Sequence, residues 1–519
     1  MRIGVDVGGT NTDAVLMDGT EVLATHKSPT TADVSSGIVA AIRSLLNESD
    51  IKAVDIEQVM IGTTHFTNAF VECRELQEVG ILRLGLPATA AIPPLTDWPD
   101  NLADAMGRHI YLVDGGYEYD GREISAFNEK QVLEAAREFH SKGIGAVAIS
   151  CVFSTVNGSM EERAAEIVRD EIPDALITCS SYIGSTGLLA RENAAIINCS
   201  LSILAGQVME SFTGALVSLG IKAPLYISQN DGTLMTAEFA ARFPALTFAS
   251  GPTNSMRGAA YLSGEHNAIV LDIGGTTSDV GMLTNGFPRQ AAAEVRFGGV
   301  RTNFRMPDIL SIGLGGGSIV HQGDPMSIGP NSVGYELMQK SLVFGGSTLT
   351  ATDVAVALHQ LDIGTPTKVS HLDKKLLSDC NDNIHEQLST AIDHIKTSAD
   401  ALPVVLVGGG SILVTCSLTG ASKVISPEHS TVANAIGAAI AQIGGDIDRV
   451  YIYETLGREQ ALEAAKAEAI RNAVDAGAAK DSVEIVMLEE VPLAYMPGGA
   501  VRVRVKAVGD LVNRASEEK

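Results

Sequence analysis

Apolar and polar positions alternate along this chain in blocks that read as strands and helices in turn. Residues 2–7 form a short apolar run closing on Asp6 and the pair Gly8 and Gly9, the pattern of a strand entering a tight turn. Residues 14–17 and 21–24 predict the next two strands, with Asp18 and Gly19 as the hairpin between them. Residues 35–46 carry helical spacing. Residues 58–61 predict a strand leading into Gly62, Thr63 and Thr64, followed by a helix through Asn68 and Ala69. An amphipathic helix over 129–140 and a buried strand over 146–153 complete an alternating α/β first third.

The alternation continues. Residues 191–219 predict one long helix, interrupted only by Gly206 and Gly214. A strand over 224–228 delivers Gln229, Asn230, Asp231 and Gly232 to a loop, and a helix over 252–262 precedes a strand over 268–273. A strand over 404–407 runs into Gly408, Gly409, Gly410 and Ser411, and 431–442 is an Ala- and Gly-rich helix suited to close packing. From about residue 447 the composition shifts to a strand, a charged helix over 459–476 and strands to 508, predicting a small α/β appendage. Residues 515–519 read as a frayed end. The domains expected are therefore 1–190, 191–446 and 447–519.

One pattern occurs twice. DVGGTNTDAVLMDG at 6–19 and DIGGTTSDVGMLTNG at 272–286 agree at both aspartates, both glycines and the threonine. A repeat at so long a period predicts two related domains, not a solenoid. Its chemistry is mechanical. Gly8, Gly9, Gly274 and Gly275 let the backbone turn tightly and bring N–H groups against phosphate oxygens with no Cβ in the way. Thr10, Thr276 and Thr277 add hydroxyl donors. Asp6, Asp13, Asp272 and Asp279 face the same cleft as the candidate catalytic residues, with Asp6 and Asp272 placed to hold Mg2+ or another divalent cation through water. No G-x-x-x-x-G-K-[ST] loop is present. Gly315 and Gly316, in a second glycine-rich run, and Gly408–Ser411 are candidates for the same nucleotide. Asp308 and Asp353 either serve that site or cap helices, and 347–352 predicts a helix N-terminus.

The bulk numbers narrow the partners. At 519 residues the chain is too long for one core. A net charge of −25 excludes nucleic acid or an anionic membrane as the main partner, since both need a basic face. No uncharged apolar run reaches the length of a membrane span, and no signal-peptide h-region opens the chain. Six scattered cysteines with no CxxC pair read as thiols in a reducing cytoplasm.

Further segments carry a resemblance. GTTHFTNAFVE (62–72), RENAAIINCSL (191–201), SQNDGTLMT (228–236), SGPTNSMRGAAYL (250–262), DILSIGLGGGSI (308–319) and ANAIGAAIA (433–441) occur in order. With the paired phosphate turns they resemble the A-type subunit of the hydantoinase/oxoprolinase family. That family sits in the superfamily of actin, sugar kinases and heat-shock chaperones. The resemblance implies duplicated actin-like ATPase domains of ribonuclease H-like fold around a nucleotide cleft, plus the C-terminal appendage. It implies ATP-dependent hydrolysis of a cyclic amide such as a hydantoin or 5-oxoproline, its ring carbonyl activated by phosphorylation, with a B-type hydrolase subunit as partner. A homo-oligomer is compatible with it. Gly408–Ser411 would hold the adenosine. Thr63, Thr64, Asn68, Gln229, Asn230 and Asp231 would line the substrate side, and His65 would polarise a carbonyl or bind metal. Ala194 and Ala195 stand where the family usually has threonines. The competing readings are a small-molecule kinase and a chaperone-like ATPase that reactivates a partner enzyme.

Overall fold

The computed structural model describes residues 1–519 except 9–10, 31–33, 292–294, 305, 324, 495 and 512–519. Among the described residues, one sheet has nine strands. Their order is Glu484–Pro492, Ala500–Gly509, Ile443–Ile452, Leu234–Thr236, Leu225–Ser228, Gln58–Thr63, Arg2–Val7, Asn11–Asp18 and Glu21–Pro29. The central strand Gln58–Thr63 is buried throughout, as its near-continuous apolar run requires. The edge strand Glu484–Pro492 is largely exposed and carries Glu484, Glu489 and Glu490, which deter further pairing.

A second sheet repeats the core of the first. Ile269–Ile273 pairs antiparallel with Ser278–Thr284 and parallel with Leu402–Val407. In the first sheet Arg2–Val7 pairs antiparallel with Asn11–Asp18 and parallel with Gln58–Thr63. A third, all-parallel sheet of four strands runs His109–Asp114, Gly80–Leu86, Ala146–Cys151, Leu176–Cys179. The helix Glu129–Ser141 packs on it as its spacing dictates. Val132, Ala135, Ala136 and Phe139 are buried, and Asn128 caps the first turn by accepting from the Gln131 N–H.

Two boundaries differ from those expected. The strands Leu225–Ser228 and Leu234–Thr236, expected in the second domain, extend the first sheet through the pairing of Val59 with Leu225. The change of sheet thus falls between Thr236 and Ile269, not at 190/191. The expected boundary at 446/447 lies inside the strand Ile443–Ile452. The C-terminal α/β segment is present, with its helix Arg458–Asp475, but its strands continue the nine-stranded sheet. The expected helix over 191–219 is two, Leu188–Ser200 and Ser202–Ser218, bent by 50°. The hydroxyls of Ser200 and Ser202 bond back to the carbonyls of Ile197 and Asn198, which loosens the helix at the bend. No single helix among the described residues is long and apolar enough to cross a membrane.

The two lobes meet where the helix Ser250–Ser263 crosses Ala433–Ile440. Small residues permit the crossing. A Cβ on Gly258 would stand 1.9 Å from the Ala433 carbonyl oxygen, and one on Gly437 would stand 1.9 Å from that of Asn254.

Candidate functional site

The two motif copies adopt one geometry. Asp6 lies directly across the ladder from Asp13, and Asp272 directly across from Asp279. The Gly8 N–H donates to the Asn11 carbonyl at 3.0 Å, and the Gly274 N–H to the Thr277 carbonyl at 2.9 Å. Gly9 and Thr10 lie outside the described residues. Each motif aspartate also presses against a glycine that ends the neighbouring parallel strand. A Cβ on Gly62 would meet Asp6 Oδ1 at 2.2 Å, and one on Gly408 would meet Asp272 Oδ1 at 2.4 Å. Gly62 is the ladder partner of Asp6, whereas Gly408 follows Val407, the partner of Asp272, and Gly408 also needs its φ of +82°.

Gly275, Thr276 and Thr277 are exposed, and a Cβ on Gly275 or Gly409 would meet nothing within 4 Å. These faces are open to solvent. The N–H groups of Gly315 and Gly316 are engaged within the protein. The N–H of Gly316 donates to the Gly274 carbonyl at 3.0 Å, and that of Gly315 to Ser318 Oγ at 2.8 Å. The Gly316 bond buttresses the second motif turn. In the loop expected to hold adenosine, Gly408 donates to the Ser430 carbonyl at 3.0 Å and Gly410 to the Ile273 carbonyl at 2.7 Å. Gly409 carries the open face between them. Ser411 is buried at the loop's end. Asp353 caps its helix in a capping box with Thr350, and Asp308 pairs with Arg289 at 2.6 Å, so neither reaches the phosphate turns.

On the other side, Thr63 is buried and accepts from the His65 N–H at 3.1 Å, while the Thr64 hydroxyl contacts the Val7 carbonyl at 3.4 Å. Thr64 lies near Gly251, beside Asp6. Asn68 is exposed. His65 is half-buried, and desolvation lowers its pKa, favouring the neutral ring. Among the described residues no cluster of three His, Cys, Asp or Glu could ligate a metal by itself.

Gln229, Asn230 and Asp231, expected on the substrate side, line a chamber of their own. Gln229 Nε2 donates to the Leu234 carbonyl at 3.0 Å. Asp231 accepts from the Thr233 hydroxyl at 2.6 Å and pairs with Lys506 at 2.9 Å. They border a separate chamber of about 430 Å³.

Two asparagines of the crossing helices, missed from the sequence, complete the first turn. Asn254 Nδ2 donates to Asp6 Oδ1 and to Ser228 Oγ, both at 3.1 Å. Asn434 Nδ2 donates to Asp6 Oδ2 at 3.1 Å and to Asp13 Oδ2 at 2.8 Å. Lys27 pairs with Asp13 at 2.8 Å. Both asparagines stand inside segments rich in small residues, and an amide amid such residues on a helix was the available signal.

Burial raises Asp6 to about 6, opposed by the Asn254 bond and reinforced by the charge of Asp13. Burial likewise raises Asp272 to about 6, opposed by Ser255 and reinforced by the charges of Asp279 and Asp6. Asp279 is raised by burial and held down by a hydrogen bond from the Ser311 hydroxyl. Adjacent residues of one helix, Asn254 and Ser255, hydrogen-bond to Asp6 and Asp272 in turn. A partly desolvated carboxylate pair of this kind suits a divalent cation that keeps most of its waters and takes further oxygens from phosphate.

Two family models match the chain, hydantoinase/oxoprolinase N-terminal region over residues 2–172 and hydantoinase/oxoprolinase over 191–396. The chain is 28% identical over 387 residues to the caprolactamase subunit alpha of Pseudomonas jessenii, covering 70% of this chain and 55% of that protein. It is 26% identical over 404 residues to the acetophenone carboxylase gamma subunit of Aromatoleum aromaticum, covering 70% and 54%. The matches span about half the length of these two relatives. Among solved structures, the ATP-dependent caprolactamase from Pseudomonas jessenii superposes with a TM-score of 0.78 at 20% identity, covering 99% of this chain and 88% of that one. A nucleotide-free acetone carboxylase gives 0.66 at 17%, covering 99% and 88%. The duplicated fold is common to all three.

Proposed function

The chain belongs to the hydantoinase/oxoprolinase family, and from that premise we propose that it uses ATP to activate the carbonyl of a cyclic amide for hydrolysis. The ring is of the hydantoin or 5-oxoproline type, and a B-type subunit completes the reaction. The observation that carries this is the repeated turn geometry, in which Asp6 lies across its ladder from Asp13 and Asp272 across its ladder from Asp279. The family and a relative named as a caprolactamase subunit point to a ring amide as the target.

An unstrained amide is a poor electrophile, and its oxygen a poor leaving group. Bound ATP with its divalent cation would supply a γ-phosphoryl group to that oxygen. Transfer breaks the bond from the β–γ bridging oxygen to Pγ, releases ADP, and leaves the ring carbon open to water. Attack of that water and ring C–N cleavage then yield an amine and an acyl phosphate, and a second water hydrolyses the acyl phosphate to the carboxylate and free phosphate. The protein's part is positional and electrostatic. Asp6 and Asp272 hold the cation. Asn254 and Asn434 fix both oxygens of Asp6, and Lys27 offsets the charge of Asp13. The open turn at Gly275, with the Thr276 and Thr277 hydroxyls, receives phosphate oxygens. Thr64 borders the Asp6 side, and the neutral imidazole of His65, next in the chain, is a donor available to a carbonyl.

A second reading rests on the relatives named as acetophenone and acetone carboxylase subunits, in which the carbonyl would be that of a ketone. One assay separates the two. ATP hydrolysis is measured with hydantoin, 5-oxoproline and caprolactam, and separately with acetone or acetophenone plus bicarbonate, each with Mg2+ and with EDTA. Stimulation by a ring amide, abolished by EDTA, is expected. A rate unmoved by every ring amide, with or without a B-type subunit, would remove the proposal. Stimulation by the ketones alone would replace it with the second reading.

A further inference from the structure

We propose that the chamber beside the nucleotide cleft binds a small amino acid, an ammonium and a carboxylate joined by a short apolar stem. This rests on the reading above, because opening a ring amide places an amine and a carboxylate on one molecule. The chamber's 430 Å³ falls in the range of small-molecule sites. It lies between the helices Ser159–Glu171, Ala237–Arg242 and Arg458–Asp475, the strand Ile443–Ile452 and the loop that carries Asn230.

Its charged groups divide into those already paired and those left over. Arg449 pairs with Glu468 at 2.6 Å, Asp231 with Lys506 at 2.9 Å, and Asp448 with Arg502 at 2.6 Å. Arg169 and Arg242 form no ion pair among the described residues, and neither does Asp475, all three lining the same space. The Arg242 guanidinium lies 5.3 Å over the Phe243 ring, which, with Phe239 and Leu246, forms an apolar wall of the chamber. Asn230 is 3% exposed, and among the described residues its side-chain amide donates to the Met306 sulfur alone, at 3.6 Å. A buried amide with so weak a partner has hydrogen-bonding capacity to offer a ligand. Two guanidinium groups, a carboxylate and an apolar wall match the two ends and the stem of an amino acid.

The chamber also communicates with the cleft. Asn254 Nδ2 bonds both Asp6 and Ser228, and Ser228 leads directly into the Gln229–Asp231 lining. The Thr253 hydroxyl, one residue earlier on that helix, donates to the Asn230 carbonyl at 3.1 Å. A ligand in the chamber therefore bears on the helix that holds Asp6.

The test is calorimetric titration of the full chain, without nucleotide, with 6-aminohexanoate as probe and caprolactam, hexanoate and hexylamine as comparators. Saturable binding of 6-aminohexanoate is expected, weakened about tenfold or more in both Arg242→Ala and Asp475→Ala, each an exposed position. Hexanoate, hexylamine and caprolactam should bind more weakly, and ATP affinity should be the same in both variants. Absence of saturable 6-aminohexanoate binding, or binding unchanged by both substitutions, would overturn the assignment. The two proposals fail separately. Amino acid binding without ring-amide-stimulated ATP hydrolysis keeps the chamber and removes the proposed function. The reverse removes the chamber alone.

Discussion

The side-chain amide of Asn254 donates to Oδ1 of Asp6 at 3.1 Å, joining residues 248 positions apart in the chain. The donor belongs to the helix at the lobe junction, and the acceptor ends the first strand of the first phosphate turn. The orientation of Asp6 is thereby tied to how the lobes meet.

Removing that bond should reduce turnover more than it reduces stability. A hydrogen bond to a charged group is worth about 1.5–3 kcal/mol, so Asn254→Ala should lower kcat for ATP hydrolysis by roughly tenfold to a hundredfold. The KM for ATP should change less. Steady-state kinetics beside a thermal melt checks this. An unchanged kcat in a folded variant would show that Asn254 does not position Asp6.

Burial at the cleft makes its carboxylates a stability cost when ionised. Asp6 and Asp272 are both raised to about 6, so the folded state binds their protons more tightly than the unfolded chain does. This penalty is absent near the unfolded carboxyl pKa of about 4 and complete once the pH has risen above the folded value. Without nucleotide or cation, Asp6→Asn should therefore melt at a higher temperature than the wild type at pH 8, and the difference should close towards pH 4. Differential scanning calorimetry across that range reads it directly. A difference that grows as the pH falls would refute it.

Two glycines near the second turn should respond in opposite ways. A Cβ on Gly275 meets nothing within 4 Å, whereas one on Gly315 would stand 2.7 Å from the Thr276 nitrogen. Gly275→Ala should keep stability within about 0.5 kcal/mol while weakening nucleotide binding. Gly315→Ala should cost about 1–3 kcal/mol by forcing the buttress away from the turn. Denaturant titration paired with a fluorescent-nucleotide binding assay distinguishes them, and equal stability losses would contradict this geometry.

A buried ion pair holds the four-stranded sheet to the body. Arg83, fully buried, donates to both Glu192 carboxylate oxygens, at 2.7 and 2.5 Å, and the Ser150 hydroxyl donates to the same carboxylate at 2.6 Å. Arg83→Met leaves Glu192 buried without its cation and should cost about 3–5 kcal/mol. The double change Arg83→Met with Glu192→Leu should recover much of that loss. Urea unfolding of the three proteins measures the coupling, and additive losses would show that the pair is not the joint.

Much of the site was legible in the sequence because its contacts are local. The hairpins that place Asp6 against Asp13 and Asp272 against Asp279 close within eight residues, and both sequence copies state them. The capping of the helix Ala351–Ala357 was legible for the same reason, since Thr350 and Asp353 are three residues apart. The pair Arg191 and Glu192 reads as an ordinary polar helix start. Yet both are buried, because Arg191 bonds the Cys151 carbonyl across the helix–sheet junction as Glu192 meets Arg83. No spacing along the helix reveals those partners.

The sequence by itself determined the duplicated α/β plan, the two glycine turns with their four aspartates, and the family. Each depends on residues close together in the chain or on segments recognisable one at a time. Only the tertiary structure decided that strands from 225–236 and 443–509 extend the first sheet, and that Asn254 and Asn434 orient Asp6. It also decided that Gly316 braces a turn, and that Gln229–Asp231 border a chamber of their own. Those outcomes rest on hydrogen bonds and close approaches between residues up to hundreds of positions apart. Where such donors and acceptors go depends on how whole elements pack, which the linear pattern of apolar and polar residues does not specify.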